Sequence, residues 1–235
     1  MPDKCSAKDY HSASPEKEAA VAMFKNLRNI ALKRLLVRAG LLGLAALAAL
    51  PAAAADCAPP EILPGNLFPT VRLETSMGDI QVELDRRRAP ITVNNFLRYV
   101  TEGSYDGTIF HRVMPGFVVQ GGGYTETIEE RETFAPIVNE SGNGLKNMPM
   151  TIAMARYDDP HTATNQFYFN LAANASLDPG PRNWGYAVFG QVVAGQDVVE
   201  AIAAVETGYH AGLDAENVPL APVKILTATV LEPPH

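Results

Sequence analysis

What most restricts the fold is the order of the elements: seven short β-rich runs and two amphipathic helical stretches, with no alternation of strand and helix along the chain. Parallel sheets need a crossover, usually a helix, between successive strands. The order seen here instead favours an antiparallel sheet closed or capped by helices. Val71 and Leu73, then Ile80, Val82 and Leu84, alternate on either side of Thr75-Ser76-Met77-Gly78-Asp79, which predicts a hairpin with a glycine-containing turn. Pro90 stands just inside a helix whose apolar residues Val93, Phe96, Leu97 and Val100 share one face, with Gly103 closing it. A second helix is predicted from Val198, Ala201, Ile202 and Val205. It opens at Gly195-Gln196-Asp197, whose carboxylate suits a first turn. The other β-rich runs are 117–120, 151–154, 166–170, 187–192 and 224–231, while the glycine-rich, charged stretch 121–147 reads as a long surface excursion.

The N-terminal part differs from the rest. Residues 1–55 hold 8 of the 19 Lys and Arg but 4 of the 26 Asp and Glu. From Met23 a basic stretch (Lys25, Arg28, Lys33, Arg34, Arg38) leads into an apolar run from Ala39 to Leu50, then Pro51 and Ala52-Ala53-Ala54-Ala55. That is the three-part layout of a secretory signal, with cleavage expected between Ala55 and Asp56. The run is about a dozen residues where a spanning helix needs roughly 20, so no stable membrane span is expected after removal of the signal. Residues 1–22 are polar and read as an upstream extension or a mis-assigned start. The Pro-rich segment 56–69 reads as an extended tether, followed by a folded domain over 70–235. The location expected from the leader and the resemblance given below is periplasmic.

The 180 residues beyond the leader carry 11 basic and 22 acidic side chains, a formal charge of −11, which disfavours nucleic acid as a partner. Of the two cysteines, Cys5 lies in the upstream segment and Cys57 just past the expected cut, so the domain has no internal disulfide and relies on its core.

Familiar catalytic patterns do not occur. There is no Gly-x-Ser-x-Gly elbow, phosphate loop or Cys-x-x-Cys, and His111, His161, His210 and His235 lack ligand spacing, so neither a metal nor a cofactor is expected. The distinctive run is 110–122. It sets a cationic Arg112 near an aromatic Phe117 and an amide Gln120, followed by Gly121, Gly122 and Gly123. Strand alternation would place Phe117 and Val119 on one face and Val118 and Gln120 on the other, unless a bulge intervenes. Spacing alone leaves a core role for Phe117 and a solvated turn for Arg112 equally open.

Phe110-His111-Arg112, Met114-Pro115-Gly116-Phe117 and Gln120-Gly121-Gly122 together resemble the signature of the cyclophilin-type peptidyl-prolyl cis-trans isomerases, in particular the bacterial periplasmic members. Thr151-Ile152-Ala153-Met154-Ala155-Arg156, Asn165-Gln166-Phe167-Tyr168-Phe169-Asn170 and Tyr186-Ala187-Val188-Phe189-Gly190-Gln191-Val192 resemble its later segments, in the same order. The resemblance spans roughly 70–231. It implies a mainly β fold, a closed antiparallel eight-stranded barrel capped by two α-helices. It also implies a monomeric enzyme acting on proline-containing, unfolded or partly folded polypeptides.

Carried over by position, the resemblance makes Arg112 the catalytic residue. It puts Phe117, Val118, Gln120, Gln166, Tyr168 and Leu177 around the substrate proline, with Ala155, Arg156 and Tyr186 along the groove. Val118 stands where Met is usual, Tyr168 where Phe is usual, and Tyr186 where many members have His. Trp184 does not occupy the family's tryptophan position. His111 reads as a packing or hydrogen-bonding residue, because amide rotation needs no proton transfer. Tyr168 raises a question of pocket quality, since a buried hydroxyl needs a partner. It also motivates the alternative of a binding module with little turnover, and an unrelated all-β binding protein is a third reading. Ser176 replaces the indole that many eukaryotic members present to cyclosporin. Cyclosporin should therefore inhibit weakly, and tight inhibition in a binding titration would overturn that expectation.

Overall fold

The computed structural model describes residues 59–231; the leader, its expected cleavage site and Cys57 lie outside them. Eight strands close into an antiparallel barrel: β1 (Thr70–Thr75), β2 (Gly78–Leu84), β3 (Thr108–Met114), β4 (Val118–Thr125), β5 (Thr151–Met154), β6 (Phe167–Asn170), β7 (Val188–Ala194) and, last in the chain, β10 (Lys224–Leu231). Around the barrel the order is β1, β10, β3, β4, β6, β5, β7, β2. Two helices, α1 (Pro90–Thr101) and α2 (Gln196–Ala203), complete the architecture the resemblance implied, and a separate hairpin pairs β8 (Thr207–His210) with β9 (Ala215–Pro219). Among the described residues no helix is long and apolar enough to cross a membrane.

Alternation fills the barrel. Val71, Leu73, Ile80, Val82, Leu84, Phe110, Val119, Phe167, Phe169 and Phe189 are fully buried in one core. Helix α1 adds Phe96, whose ring centroid lies 5.2 Å from those of Tyr105 and Phe189 and 5.5 Å from that of Phe167, so an aromatic cluster packs the helix onto the barrel. The residue before α1, Ala89, offers no side-chain cap. Glu140, far along the chain, takes that role: its carboxylate accepts from the backbone N–H of Ile91 (3.2 Å) and Thr92 (2.7 Å) and from Thr92 Oγ1 (2.7 Å). Free N–H groups at a helix start favour a negative charge there.

Several sequence expectations are corrected. Strand β3 is absent from the β-rich runs read from the sequence, because Thr108-Ile109-Phe110-His111 is buried on both faces and shows no alternation. Strand β4 continues through the glycines as far as Thr125. A Cβ on Gly121 would lie 2.8 Å from Phe110 Cδ1, and one on Gly122 (φ +88°) 2.8 Å from Tyr105 Cε1; the glycines therefore serve aromatic packing inside the strand. The rest of the 121–147 stretch is not wholly surface, since Ala135, Ile137, Ser141 and Asn147 are buried. In α2 the buried residues are Val199 and Ile202, with Ala201 exposed, so the inward face is rotated from the one predicted. The helix starts at Gly195 (φ +80°), where a Cβ would meet the Asp79 carbonyl oxygen at 2.1 Å.

The expected tether is also different over its described part. Residues 59–69 turn back on the barrel, and the buried Arg86 holds them: its guanidinium donates to the carbonyls of Leu63 (2.7 Å), Asn66 (2.6 Å) and Ile62. Arg86→Met keeps the stem but deletes those donors. It should cost about 2 kcal/mol in urea denaturation and open 59–69 to proteolysis; unchanged stability and clipping would show that the guanidinium contributes nothing.

Candidate active site

One row of paired residues crosses five strands on the outer face of the barrel. Arg112 of β3 is opposite Gln120 of β4, which is opposite Tyr168 of β6. Tyr168 is in turn opposite Ala153 of β5, and Ala153 is opposite Val188 of β7. Directly paired residues share a face, so this register alone brings the five side chains together. Val119, Phe167 and Phe169, their chain neighbours, point into the core.

A cavity of about 260 Å³ opens over this row, lined by Arg112, Phe117, Val118, Gln120, Ala155, Arg156, Tyr168, Leu177 and Tyr186. Nine of the ten residues assigned from sequence thus surround one hollow. Gln166 lines the adjoining hollow instead, and reaches the first by accepting from Gln120 Nε2 at 2.9 Å. Phe117 lies in the turn before β4, free of strand alternation, and packs with Val118 rather than with Val119. A larger hollow of about 640 Å³ is lined by Asn139, Ser141, Gly142 and the loop 179–184, and receives none of these residues. Trp184 belongs to that loop, with its ring 5.3 Å from that of His161.

The polar side of the pocket is an ordered relay. Arg112 Nη1 donates to Gln120 Oε1 at 3.3 Å. Arginine can only donate, so the carbonyl end of Gln120 must face it and the amide end must face Gln166. Among the described residues no carboxylate pairs with Arg112, which leaves its charge available to a ligand. Arg156 is differently engaged. It donates to the carbonyls of Gly185 (3.0 Å), Tyr157 (2.6 Å) and Asp158 (3.2 Å) and stacks 4.5 Å over the Tyr186 ring, forming a wall.

The Tyr168 hydroxyl has a partner after all. It donates to Asn147 Oδ1 at 2.8 Å, and burial raises its pKa far above the ordinary value. Tyr186 meets its ring edge-on at 6.0 Å. Asn147, Ala153, Val188 and Leu145 are the neighbours that sequence reasoning missed. Ala153 and Val188 were legible only once the register of β5 was known. Asn147 and Leu145 sit in an irregular loop with no period to read.

His111 is buried, its ring 4.8 Å from that of Tyr124. Burial lowers its pKa to about 4; hydrogen bonding to the Ile109 backbone and the Gln166 side chain opposes the shift, and the nearby Arg112 charge adds to it. It is neutral at neutral pH and packs beside Arg112. Among the described residues there is no group of three His, Cys, Asp or Glu that could hold a metal.

Comparisons with known proteins agree with this architecture. The family model for "Cyclophilin type peptidyl-prolyl cis-trans isomerase/CLD" matches residues 70–230. The chain is 53% identical over 165 residues to peptidyl-prolyl cis-trans isomerase cyp18 of Streptomyces antibioticus, covering 69% of this chain and 98% of that one. It is 48% identical to peptidyl-prolyl cis-trans isomerase A of Dickeya dadantii, covering 69% and 84% of the two chains. Isomerase B of Escherichia coli is 46% identical, with 69% and 99% covered. A crystal structure of a Cryptosporidium parvum cyclophilin-type isomerase shares the fold at a TM-score of 0.59 and 24% identity, covering 71% of this chain and 99% of that one. The chain belongs to the cyclophilin-type peptidyl-prolyl cis-trans isomerase family, and its enzymatic class is peptidyl-prolyl isomerase.

The histidine generates a pH prediction. Its folded pKa of about 4 lies below the ordinary 6.5, so the unfolded chain binds its proton first. This contribution to stability is complete above pH 6.5 and is lost as pH falls from 6.5 towards 4, by about 3 kcal/mol in all. Denaturation against pH should show that loss, and His111→Gln should flatten it; identical slopes would place the titration elsewhere.

Proposed function

We propose that this protein accelerates rotation about X-Pro bonds in exported polypeptides, with Arg112 stabilising the twisted amide and the pocket beside it holding the proline ring. One observation carries the reading: the Arg112 guanidinium, with no carboxylate partner among the described residues, stands in one hollow with the apolar wall of Phe117, Val118, Tyr168 and Leu177.

The barrier to amide rotation is ~18–20 kcal/mol and arises from resonance, with no bond to break. At the twisted midpoint that resonance is lost and the prolyl nitrogen regains a lone pair. A cationic donor then binds it better than in either planar state, which is selective stabilisation of the transition state. A guanidinium suits this role because it is a permanent cation with several donors in a planar fork. A charged hydrogen bond worth roughly 1.5–3 kcal/mol gives about 10- to 100-fold in rate. The rest falls to the pocket. Phe117, Val118, Tyr168 and Leu177 line the apolar wall against the ring, while the remaining N–H of Gln120, whose other one is held by Gln166 Oε1, is placed to bind a substrate carbonyl, so that one side of the bond is fixed while the other turns. Ala155, Arg156 and Tyr186 continue the groove along the flanking residues.

The basic and apolar leader before Asp56 supports export and a periplasmic location, where a monomeric isomerase would assist the folding of proline-containing chains. The alternative of a binder with little turnover rested on the Tyr168 hydroxyl. Its bond to Asn147 turns it away from the need for a partner in the pocket, which favours turnover.

In an NMR exchange or protease-coupled assay on a short X-Pro peptide, Arg112→Ala should lower kcat/KM about 10- to 100-fold with an unchanged circular dichroism spectrum. The wild-type rate should show no inflection near pH 6.5, since burial lowers the pKa of His111 to about 4. A folded wild type without activity, or an Arg112→Ala variant as fast as the parent, would overturn the reading.

A further inference from the structure

Asn147 is almost fully buried, and every hydrogen-bonding group it has is directed at the frame of the proline pocket. Its Oδ1 accepts from the Tyr168 hydroxyl at 2.8 Å and from Asn170 Nδ2 at 3.1 Å. Its backbone N–H and its Nδ2 both donate to Asp178 Oδ1, at 2.9 and 3.0 Å. Its carbonyl accepts from the Asn174 backbone N–H at 2.8 Å. Asn174 and Asp178 are the residues on either side of the short 3-10 turn Ala175–Leu177, which carries Leu177 into the pocket. Asn147 therefore grips that turn at both ends and, through the same side chain, holds the hydroxyl of Tyr168. Asn174 extends the frame: its Nδ2 donates to the Phe117 carbonyl (2.9 Å) and to Asn170 Oδ1 (2.7 Å).

The amide cannot be turned round without loss. The Asn170 Nδ2 that faces its oxygen can only donate and the Asp178 carboxylate that faces its nitrogen can only accept, so one orientation satisfies every partner. Lys146, the preceding residue, holds the other oxygen of Asp178 at 3.5 Å.

We propose that Asn147 is a positioning residue for X-Pro isomerisation, fixing the separation between the Tyr168 floor and the Leu177 wall and so fitting the pocket to a five-membered ring. It touches no substrate and acts through Tyr168 and Asp178. A phenylalanine floor could not take part in this frame, which gives the Tyr168 hydroxyl a use. The proposal rests on the isomerase reading above and specifies the dimension of the same site.

The test compares peptides containing proline with peptides containing pipecolic acid, whose ring has one more methylene, on wild type and Asn147→Ala. A methylene in an apolar pocket provides ~10- to 200-fold discrimination. In Asn147→Ala the ratio of kcat/KM for the two rings should shrink by roughly threefold or more, as part of that discrimination is lost. Tyr168→Phe should shift the ratio in the same direction by less, because Asp178 still grips Asn147. A merely structural role would slow both peptides equally and leave the ratio alone, and that result overturns the proposal. Should Asn147→Ala fail to fold, Asp178→Ala, which frees one end of the turn, decides in its place on the same ratio. An inactive wild type would instead sink the isomerase reading itself, and activity insensitive to Arg112→Ala would remove only the role given to that residue.

Discussion

The structure depends on the register of β3, β4, β6, β5 and β7. A strand alternates with a period of two, so slipping β6 by one residue against β4 and β5 would send Tyr168 into the barrel and Phe167 or Phe169 out of it. The aromatic core resists that slip. Phe167 packs edge-on and Phe189 tilted against Phe96, and the glycines of β4 make room for Phe110 and Tyr105. A core of fully buried rings holds the register, and the register in turn sets Arg112, Gln120 and Tyr168 side by side on the outside.

Electrostatics on that outer face is simple because the barrel leaves little choice. Arg112 has no carboxylate to neutralise it among the described residues, and its neighbour His111 is held neutral by burial. A fixed positive charge left without a carboxylate partner among the described residues is what the proposed stabilisation of a twisted amide requires. The second arginine of the pocket, Arg156, lies outside that scheme: three backbone carbonyls and the Tyr186 face engage it.

Irregular segments do much of the positioning. Glu140 caps α1 from the far side of a long loop, Asn147 frames the pocket, and Arg86 holds the segment before β1. Each satisfies backbone or side-chain groups that would be costly to bury alone. None of these partners is near in sequence to the group it satisfies, which is why the stretch 121–147 reads as a surface excursion and 59–69 as part of a tether when the sequence is taken alone.

The amino-acid sequence by itself determined the antiparallel class, the core face of α1 and, by family resemblance, nine residues of one pocket. Those are local patterns and motifs in order, and a periodic pattern such as Val93, Phe96, Leu97 and Val100 carries its own evidence. Tertiary structure alone decided that β3 is a strand, that Val199 rather than Ala201 faces inward, and that the Tyr168 hydroxyl is answered by Asn147. The reason is physical. A segment buried on both faces has no period, and a hydrogen bond across 21 residues of chain leaves no spacing rule, so both depend on which surfaces the closed barrel brings together.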